Sequence, residues 1–360
     1  MGERVLMKGN EALGEAAIRA GCLFYYGYPI TPQTELLEYM ARELPQRGGT
    51  FLQTESEVAT IYYVYGTAAA GKRVMTASSS PGMSLMAEGM SFLATAQLPA
   101  VLVDVARASP GLGRIAPAQS DYRQLTHGAG HGDYRMIVLA PASVQEMADL
   151  AFLAFDLADR YRNPVAIMAD GMLGQMMEPL TWKPLASDGH AKDWALTGAK
   201  GRPRNLVLNA PYTDTELMEL NRTLKAKYER IAEAEQRWEY VDMEGAEMAV
   251  VAYGTSARIA MEAVEDARRT GVPVGLIRPI TLWPFPTRAF RPVNGPEGAL
   301  TAPALKAYLT VEMNDGQMVE DVELAIRCAA PVFSHGLGGG WIPNSAGIRE
   351  EIERVWQKVC

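Results

Sequence analysis

Residues 136–170 read MIVLAPASVQEMADLAFLAFDLADRYRNPVAIMAD, in which a β-branched run, a helical pattern and a second apolar run follow one another directly. The runs MIVLAP (136–141) and PVAIMAD (164–170) are typical of buried strands. Between them, Ser143 and Glu146 have the spacing of a capping box, and apolar residues recur at helical intervals. The pattern therefore predicts a strand, a helix and a strand, the repeating unit of parallel α/β architecture.

The same alternation extends to both sides of this unit. AVLVDVAR (100–107) is a further candidate strand, and residues 248–280 predict a strand, a Gly-Thr-Ser turn, a helix and a strand. Beyond Pro179 the pattern dissolves into a segment rich in Gly, Pro, Lys and Trp, and a charged helix is expected at about 213–240. We therefore expect a first α/β domain over 1–185, a linker and helical connection over 186–245, and a smaller α/β domain over 246–360.

Composition restricts the classes of partner. The chain has 360 residues, of which 48% are hydrophobic and 21% charged, so it can bury the cores of two or three domains. A net charge of -8 and a pI near 5.3 argue against a nucleic acid or an anionic membrane as the main partner. Residues 1–21 mix charges into short apolar runs, which fits neither a signal peptide nor a spanning helix. A cytoplasmic location is expected.

The cysteines are too scattered for a metal centre. Cys22, Cys328 and Cys360 form no Cys-x-x-Cys pair and cannot supply the four ligands of an ordinary iron–sulfur cluster or a recognisable zinc site. We expect Cys22 and Cys328 to be buried as small hydrophobic residues. Any metal redox chemistry is expected on another chain. No metal-ligand spacing connects the histidines, which are expected in loops or at the surface: His127, His131, His190 and His335.

Three loops are rich in serine or glycine. MTASSSPGMSLMAEGM (75–90) passes from a strand through three serines into a helix, whose first N–H groups could receive an anion or a polar ring. A plain strand-to-helix turn explains this segment equally well. The glycines of 109–122 and 335–341 fit neither the P-loop nor the dinucleotide-binding pattern, so we interpret them as flexible loops or lids.

An unusual corner follows the strand-like run in YYGYPITPQTELLEYM (25–40). Pro29 and Pro32 restrict the backbone on both sides of Thr31, and a stiff corner can aim a hydroxyl group. Alternatively, Thr31 caps the helix that the following residues predict, and the local pattern alone favours the cap.

Two charged positions lie where predicted strands end. Glu57, with Glu55 close before it, directly precedes an apolar helical run in FLQTESEVATIYYVYG (51–66), where the helix dipole stabilises a carboxylate. A half-buried glutamate can instead share a proton with a heteroaromatic nitrogen. Arg107 ends its strand where open α/β sheets bind ligands, and this position favours a binding role over the alternative of a surface ion pair.

Seven separated motifs carry a resemblance. In chain order they are GYPITPQTELLEYM, QTESEVA, SSSPGMSLM, VDVARA, PAQSDY, IRPITLWPFP and VEMNDGQM. The chain resembles the α subunit of the 2-oxoacid:ferredoxin oxidoreductases, most closely the ketoisovalerate branch, over nearly its whole length. The resemblance implies a thiamine-enzyme pyrimidine-binding domain, with a parallel sheet flanked by helices, over 1–185, and a transketolase C-terminal-like α/β domain over 246–360.

The implied activity is divided among several chains. Thiamine diphosphate would be shared with a β subunit that binds its diphosphate and Mg²⁺, since this chain lacks Gly-Asp-Gly with later asparagines. The resemblance implies a γ subunit, a ferredoxin-like δ subunit carrying iron–sulfur clusters, external ferredoxin as acceptor, and coenzyme A as co-substrate. The reaction would be oxidative decarboxylation of a branched-chain 2-oxo acid, with 2-oxoglutarate as the second candidate substrate. A non-catalytic scaffold subunit, or a thiamine enzyme that works without ferredoxin, would carry the same fold.

The matched motifs also imply roles for single residues. Glu57 corresponds to the catalytic glutamate that hydrogen-bonds the aminopyrimidine ring of the cofactor. Thr31 corresponds to a threonine that contacts the 2-oxo acid, and Arg107 to an arginine that pairs with its carboxylate. The presence of all three argues against a scaffold. Three further residues in matched segments are expected beside the cofactor: Pro29, Ile30 and Ser79.

Overall fold

A computed structural model describes residues 4–182, 190–290 and 305–359. The strands are β1 (Arg4–Lys8), β2 (Phe24–Gly27), β3 (Thr50–Gln53), β4 (Val74–Ser78), β5 (Ala100–Ala106), β6 (Ile137–Leu139), β7 (Pro164–Asp170), β8 (Met177–Thr181), β9 (Trp238–Val241), β10 (Met248–Ala252), β11 (Val274–Pro279), β12 (Thr281–Trp283), β13 (Ala307–Glu312) and β14 (Val332–Gly336). The helices are α1 (Gly9–Arg19), α2 (Thr34–Gln46), α3 (Glu57–Ala69), α4 (Pro81–Thr95), α5 (Tyr122–Thr126), α6 (Val144–Tyr161), α7 (Gly171–Gln175), α8 (Asp214–Ala234), α9 (Gly254–Arg269), α10 (Met318–Ile326) and α11 (Ser345–Val359), with a short 3₁₀ turn at Thr287–Phe290.

The first sheet has seven strands in the order β12-β6-β7-β5-β4-β2-β3. All neighbours pair in parallel except the edge strand β12, which pairs antiparallel with β6. β5 and β7 are buried along their whole length, as continuous apolar strands of a parallel sheet covered on both faces should be. The predicted unit of β6, α6 and β7 is present, and the Ser143 hydroxyl accepts a hydrogen bond from the Glu146 N–H at 3.1 Å. The predicted parallel α/β class is confirmed.

The second sheet has the order β14-β13-β10-β11-β9, with only β9 antiparallel to its neighbour. The helix expected at about 213–240 is too long, because α8 ends at Ala234 and Trp238–Val241 form β9. The sequence Trp-Glu-Tyr-Val alternates aromatic or β-branched residues with a charge, which favours a strand. The rings of Trp238 and Tyr240 lie on the same face, with centroids 6.1 Å apart.

The loop before α5 connects the edges of the two sheets at which their strands end. The Gln119 N–H donates to Met313 O at 3.0 Å, and its side-chain amide donates to Tyr253 O at 2.9 Å. The Ser256 hydroxyl donates to Gln119 Oε1 at 2.8 Å. A single buried glutamine thus connects the first sheet to both β10 and β13. The domain boundary expected between 185 and 186 lies outside the described residues.

The prediction that Cys22 and Cys328 are buried is correct for only one of the two residues. Cys22 is fully buried, and desolvation raises the pKa of its thiol to about 12. Cys328 is exposed, so the prediction of burial is wrong for this residue. α10 ends before it, and both Arg327 and Cys328 have φ of 53°, so the chain turns away from the helix at the surface. Cys360 lies outside the described residues.

The histidines also include one departure from expectation. His335 lies within β14 and not in a loop, and its ring meets the edge of the Trp341 ring with centroids 5.2 Å apart. Within the three described ranges, no three or more His, Cys, Asp or Glu side chains are grouped to hold a metal ion. Across the same ranges no helix has both the length and the apolar character needed to cross a membrane. The cytoplasmic location stays a prediction.

Lys227 is a buried cation in α8 and provides a test of the packing. Burial, with Arg162 and Arg230 nearby, lowers the pKa of its ammonium group to about 7 from 10.5. The folded chain therefore binds this proton less readily than the unfolded chain, so stability is reduced below pH 7 and recovers as the pH rises from about 7 towards 10.5.

We expect Lys227→Met to raise the thermal midpoint of the chain at pH 6.5, since a pKa unit corresponds to roughly 1.4 kcal/mol. The gain should shrink as the pH approaches 10. Lys225→Met, at an exposed position of the same helix, is the control. Thermal unfolding followed by circular dichroism at several pH values measures both variants, and equal gains at all pH values would contradict the assignment.

Candidate active site

Four adjacent strands deliver the predicted site residues to one edge of the first sheet. In the sheet order β5-β4-β2-β3, Arg107 follows β5, Ser79 follows β4, Thr31 lies beyond β2 and Glu57 begins the helix after β3. All four strands are parallel, so their carboxyl ends meet at the same edge. This is the edge at which open α/β sheets bind ligands. Residues that are far apart in sequence are thus brought together by the sheet order.

The corner that carries Thr31 is held by side chains on both sides. The Gln33 amide donates to Tyr28 O at 3.1 Å, and the Asn10 amide donates to Pro32 O at 2.9 Å. Thr31 itself is exposed and does not cap α2, whose N-cap residue is Gln33. The prediction of a cap is therefore wrong, because the helix begins at Thr34, three residues after the threonine. The Thr31 side chain is free to contact a ligand.

Pro29 and Ile30 form the side of this corner nearer to β2. Both are partly buried, and Ile30 O accepts a hydrogen bond from the Gln33 N–H at 3.0 Å. The backbone of the corner is therefore closed by hydrogen bonds within itself. Its position relative to the sheet is fixed before any ligand arrives.

Arg107 is 8% exposed and is held by backbone oxygens. Its Nη1 donates to Thr31 O at 2.9 Å and its Nη2 to Leu112 O at 2.8 Å, while Nε is buried without a partner. No carboxylate of the described residues forms an ion pair with it, so the surface ion pair suggested by its charge is absent. A buried cation without a carboxylate in direct contact is costly, although Asp121 lies near enough for the Arg107 charge to lower its pKa. The guanidinium can still offer N–H groups to an incoming carboxylate.

Glu57 is the first residue of α3 and is 6% exposed. Ser56 caps this helix, and its hydroxyl accepts a hydrogen bond from Ala59 N at 3.2 Å. In the described part of the chain, the Glu57 carboxylate has neither a hydrogen bond nor an ion pair. Glu55, by contrast, is exposed. The two glutamates, which are separated only by Ser56, are thus clearly distinguished by burial.

The serine turn lies against Glu57. A Cβ added to Gly82 would lie 1.9 Å from Ser78 Oγ and 2.5 Å from Glu57 Oε1, so the carboxylate and the hydroxyl both approach this glycine. The hydroxyl groups of Ser78 and Ser79 are buried without hydrogen-bond partners. A partnerless carboxylate and two partnerless hydroxyls therefore lie at the start of α4 and α3.

Asp104 and Ser80 lie behind the site and were not identified from the sequence. Asp104 is fully buried inside β5 and accepts a hydrogen bond from Ser80 N at 3.2 Å. Burial, and then the nearby Asp121 carboxyl group, raise the pKa of Asp104 well above its usual value. Ser80 donates from its hydroxyl to Asp121 Oδ2 at 2.5 Å. The available signal was a single charge in the otherwise apolar strand AVLVDVA.

Comparison with known proteins identifies the family. Residues 15–245 match the thiamine diphosphate-binding domain model of pyruvate flavodoxin/ferredoxin oxidoreductase, and residues 246–344 match core domain II of pyruvate:ferredoxin oxidoreductase. The chain is 51% identical over 352 residues to the ketoisovalerate oxidoreductase subunit VorB of Methanothermobacter marburgensis, covering 97% of this chain and 96% of the relative. It is 36% identical over 379 residues to the 2-oxoglutarate synthase subunit KorA of Methanocaldococcus jannaschii, covering 97% and 98%.

A solved structure agrees with these sequence matches. The 2-oxoglutarate:ferredoxin oxidoreductase from Magnetococcus marinus, with 2-oxoglutarate, coenzyme A and succinyl-CoA bound, superposes with a TM-score of 0.84 at 26% identity. The alignment covers 99% of this chain and 66% of that one. The resemblance inferred from the seven motifs is confirmed, and the predicted thiamine-binding architecture with it. The chain therefore belongs to the 2-oxoacid:ferredoxin oxidoreductase family.

Proposed function

We propose that this chain is the α subunit of a thiamine diphosphate-dependent oxidoreductase that converts ketoisovalerate and coenzyme A to an acyl-CoA and carbon dioxide, passing two electrons to ferredoxin. In this proposal Thr31 and Arg107 bind the 2-oxo acid, and Glu57 is the catalytic residue at the cofactor. Pro29, Ile30 and Ser79 would contact the cofactor.

One observation carries the proposal. A buried carboxylate and a buried guanidinium, Glu57 and Arg107, lie at the same edge of one sheet, and neither has an ionic partner among the described residues. Protein interiors rarely keep such groups unpaired unless they have a function. The guanidinium suits a carboxylate ligand, and the carboxylate suits a nitrogen that can carry a proton. A 2-oxo acid and an aminopyrimidine ring are ligands with these two properties.

The residues present fit the pyrimidine end of thiamine diphosphate. The ring needs acceptors and donors at its edge, and the Glu57 carboxylate and the partnerless hydroxyls of Ser78 and Ser79 supply them. When bound, the cofactor supplies the electron sink for decarboxylation. Glu57 would hold a proton between its carboxylate and the ring nitrogen, and the ordered corner at Thr31 would limit the positions open to the substrate.

The surface around Glu57 supports a partner chain at this site. The elements that carry the site, β3, α3, α4 and the corner after β2, also carry large apolar residues that are 36–53% exposed: Tyr28, Leu52, Val58, Tyr62, Tyr63 and Leu85. A group of exposed large apolar residues on neighbouring elements is typical of protein interfaces. We propose that a β subunit covers it and supplies the ligands for the diphosphate and Mg²⁺. A γ subunit and a ferredoxin-like δ subunit with iron–sulfur clusters would complete the complex.

We expect Tyr63→Lys to weaken assembly with the β subunit, because it places a charge within this apolar surface. Leu324→Lys is the matched control, since Leu324 is 72% exposed on α10, away from α3. Co-purification of co-expressed subunits, scored by the ratio of β to α chain, measures the effect. Equal loss with both substitutions, or none with either, would contradict this location of the interface.

Gly82→Ala should lower turnover of the assembled complex, because a methyl group there displaces the Glu57 carboxylate and the Ser78 hydroxyl. Gly66→Ala is the control within α3, where an added Cβ meets nothing within 4 Å. The measurement is the steady-state turnover of both variants at equal concentrations of assembled complex. Turnover of the Gly82 variant equal to that of the Gly66 variant would mean that the exact position of Glu57 is unimportant.

The choice of substrate rests on relatedness, with 51% identity to a ketoisovalerate oxidoreductase subunit against 36% to a 2-oxoglutarate synthase subunit. 2-Oxoglutarate is the second candidate, because the superposed Magnetococcus marinus structure contains it. The test is reduction of ferredoxin by the purified native complex with coenzyme A and each 2-oxo acid in turn. We expect the highest kcat/KM with ketoisovalerate. A higher kcat/KM with 2-oxoglutarate would identify 2-oxoglutarate as the substrate instead. No reduction of ferredoxin with any 2-oxo acid would overturn the proposed function.

A further inference from the structure

We propose that Asp104, Asp121 and Ser80 form a positioning network that shares one proton between the two carboxyl groups and fixes Arg107 for binding the carboxylate of the substrate. This inference rests on the proposed function of Arg107. None of the three residues is exposed to the substrate edge as Thr31 is, so they would act through Arg107 rather than on the reacting atoms.

The network reaches the backbone of Arg107 through one hydroxyl group. Ser80 Oγ accepts a hydrogen bond from Arg107 N at 3.0 Å and donates to Asp121 Oδ2 at 2.5 Å. Ser80 has a φ of 24°, a strained backbone conformation for a residue other than glycine. Its backbone N–H meets Asp104 Oδ1 at 3.2 Å, which helps to hold this conformation. The serine is thus bound to both carboxyl groups and to Arg107 at once.

The two carboxyl groups need a proton between them. Asp104 and Asp121 are 0% and 4% exposed, and Ser80 connects them, because its N–H donates to Asp104 Oδ1 at 3.2 Å and its hydroxyl to Asp121 Oδ2 at 2.5 Å. Asp104 Oδ2 has no N–H or O–H donor, so it is satisfied only when one of the two carboxyl groups is protonated and bonds to the other. Burial raises the pKa of both groups, and the Asp121 charge raises the pKa of Asp104 further, whereas hydrogen bonds to Ser80 and Asp104 and the Arg107 charge moderate the rise at Asp121.

Among the residues that the structure describes, ionisable groups on the loop after β5, on β7 and in the second domain lie near the pair. Arg107 lies close enough to lower the pKa of Asp121 in part. Burial, and then the Glu312, Asp121, Asp170 and Asp104 carboxyl groups, raise the pKa of Tyr253 in the second domain well above its usual value, so it stays neutral. On the neighbouring strand β7, Asp170 accepts hydrogen bonds from Thr255 Oγ1 and from the first N–H groups of α7. Of the described cations, Arg107 is the one whose charge lowers the pKa of Asp121, so the charge of the pair acts in turn on Arg107.

Loss of the shared proton would place a second negative charge beneath Arg107. That charge would compete with the substrate carboxylate for the guanidinium and would break the bond between the two carboxyl groups. We therefore expect the KM for the 2-oxo acid to rise on the alkaline side of the pH profile, with kcat less affected. Asp104→Asn should keep KM low at high pH, because its amide donates permanently to Asp121.

The experiment uses the assembled complex with ketoisovalerate, and measures KM and kcat from neutral to alkaline pH. Ser80→Ala should raise KM roughly tenfold, since it removes a buried hydrogen-bonded link, with a smaller change in kcat. Asp104→Asn should have near-normal KM at neutral pH and lack the alkaline rise. Thr76→Val is the control, because Thr76 is buried on β4 and its hydroxyl has no hydrogen-bond partner. It should follow the wild type throughout.

A spectroscopic measurement separates a shared proton from a purely structural effect. The difference infrared spectrum of the wild-type complex minus the Asp104→Asn complex should contain the C=O band of a protonated carboxyl group, which disappears at high pH. If Asp104→Asn does not assemble, Asp121→Asn carries the same expectation, because its amide can donate to Asp104.

Wild-type KM in Ser80→Ala together with an unchanged alkaline rise in Asp104→Asn would overturn the inference. Absence of the carboxyl band would overturn the shared proton. Failure of the proposed function would give a different result from failure of this inference. In that case Arg107→Ala would leave the KM for the 2-oxo acid unchanged, or the wild-type complex would not oxidise 2-oxo acids.

Discussion

Glu57→Gln is expected to remove most of the turnover of the assembled complex while leaving its fold and assembly intact. Glutamine has nearly the same shape but cannot carry or release a proton at the cofactor ring, and a well-placed general acid–base group typically contributes ~10²- to 10⁴-fold to the rate. The carboxylate has no partner among the described residues, so the substitution breaks no internal hydrogen bond. Steady-state ferredoxin reduction, at saturating 2-oxo acid and coenzyme A, measures the loss.

The matched control is Glu55→Gln, two residues earlier and exposed. It removes the same charge from the same turn and should keep turnover near the wild-type value. If Glu57 only stabilised the start of α3, its replacement would lower stability by about 0.3–1 kcal/mol and leave the rate unchanged. Equal rates for the two variants would establish that structural role.

Arg107→Ala is expected to raise the KM for the 2-oxo acid by roughly ten- to a hundredfold, since a hydrogen bond to a charged group contributes about 1.5–3 kcal/mol. Affinity for thiamine diphosphate should change far less. Arg107→Lys should be intermediate, because lysine keeps the charge but loses the planar pair of donors. Initial rates over a range of 2-oxo acid concentrations give both constants.

Arg114→Ala provides the control for charge in the same loop, because Arg114 is exposed. A thermal midpoint for each variant separates loss of binding from loss of structure, since Arg107 also bonds to Thr31 O and Leu112 O. Thr31→Val should raise KM more mildly. Wild-type substrate dependence in the Arg107 and Thr31 variants would contradict the pocket proposed for the 2-oxo acid.

Much of the fold could be predicted because strong local patterns agree with the tertiary structure. The continuous apolar runs of β5 and β7 leave little choice except buried parallel strands, and the capped pattern of α6 fits between neighbouring strands. The incorrect predictions of the fold lie at positions where a helix ends. Neither the stop of α8 at Ala234 nor the turn at Arg327 is signalled by glycine or proline, so α8 was predicted too long and Cys328 was expected to be buried.

The site was only partly accessible to sequence reasoning. Glu57, Thr31 and Arg107 stand at recognisable ends of strands, but local rules favoured a helix-start charge for Glu57 and a helix cap for Thr31. The resemblance changed those preferences, and burial and missing partners now support the same choice for Arg107 and Glu57. Ser80 and Asp104 could not be identified, because their importance depends on a contact with Asp121 that only the folded chain creates.

Hydrogen–deuterium exchange at C2 of thiamine diphosphate in the assembled complex tests most directly whether this chain contributes a catalytic residue to the cofactor site. The comparison is between the wild type, Glu57→Gln and Glu55→Gln, with equal cofactor occupancy. We predict exchange slowed by roughly 10²-fold or more in Glu57→Gln alone. Exchange at the wild-type rate in Glu57→Gln would contradict the catalytic assignment and would make Glu57 a structural residue.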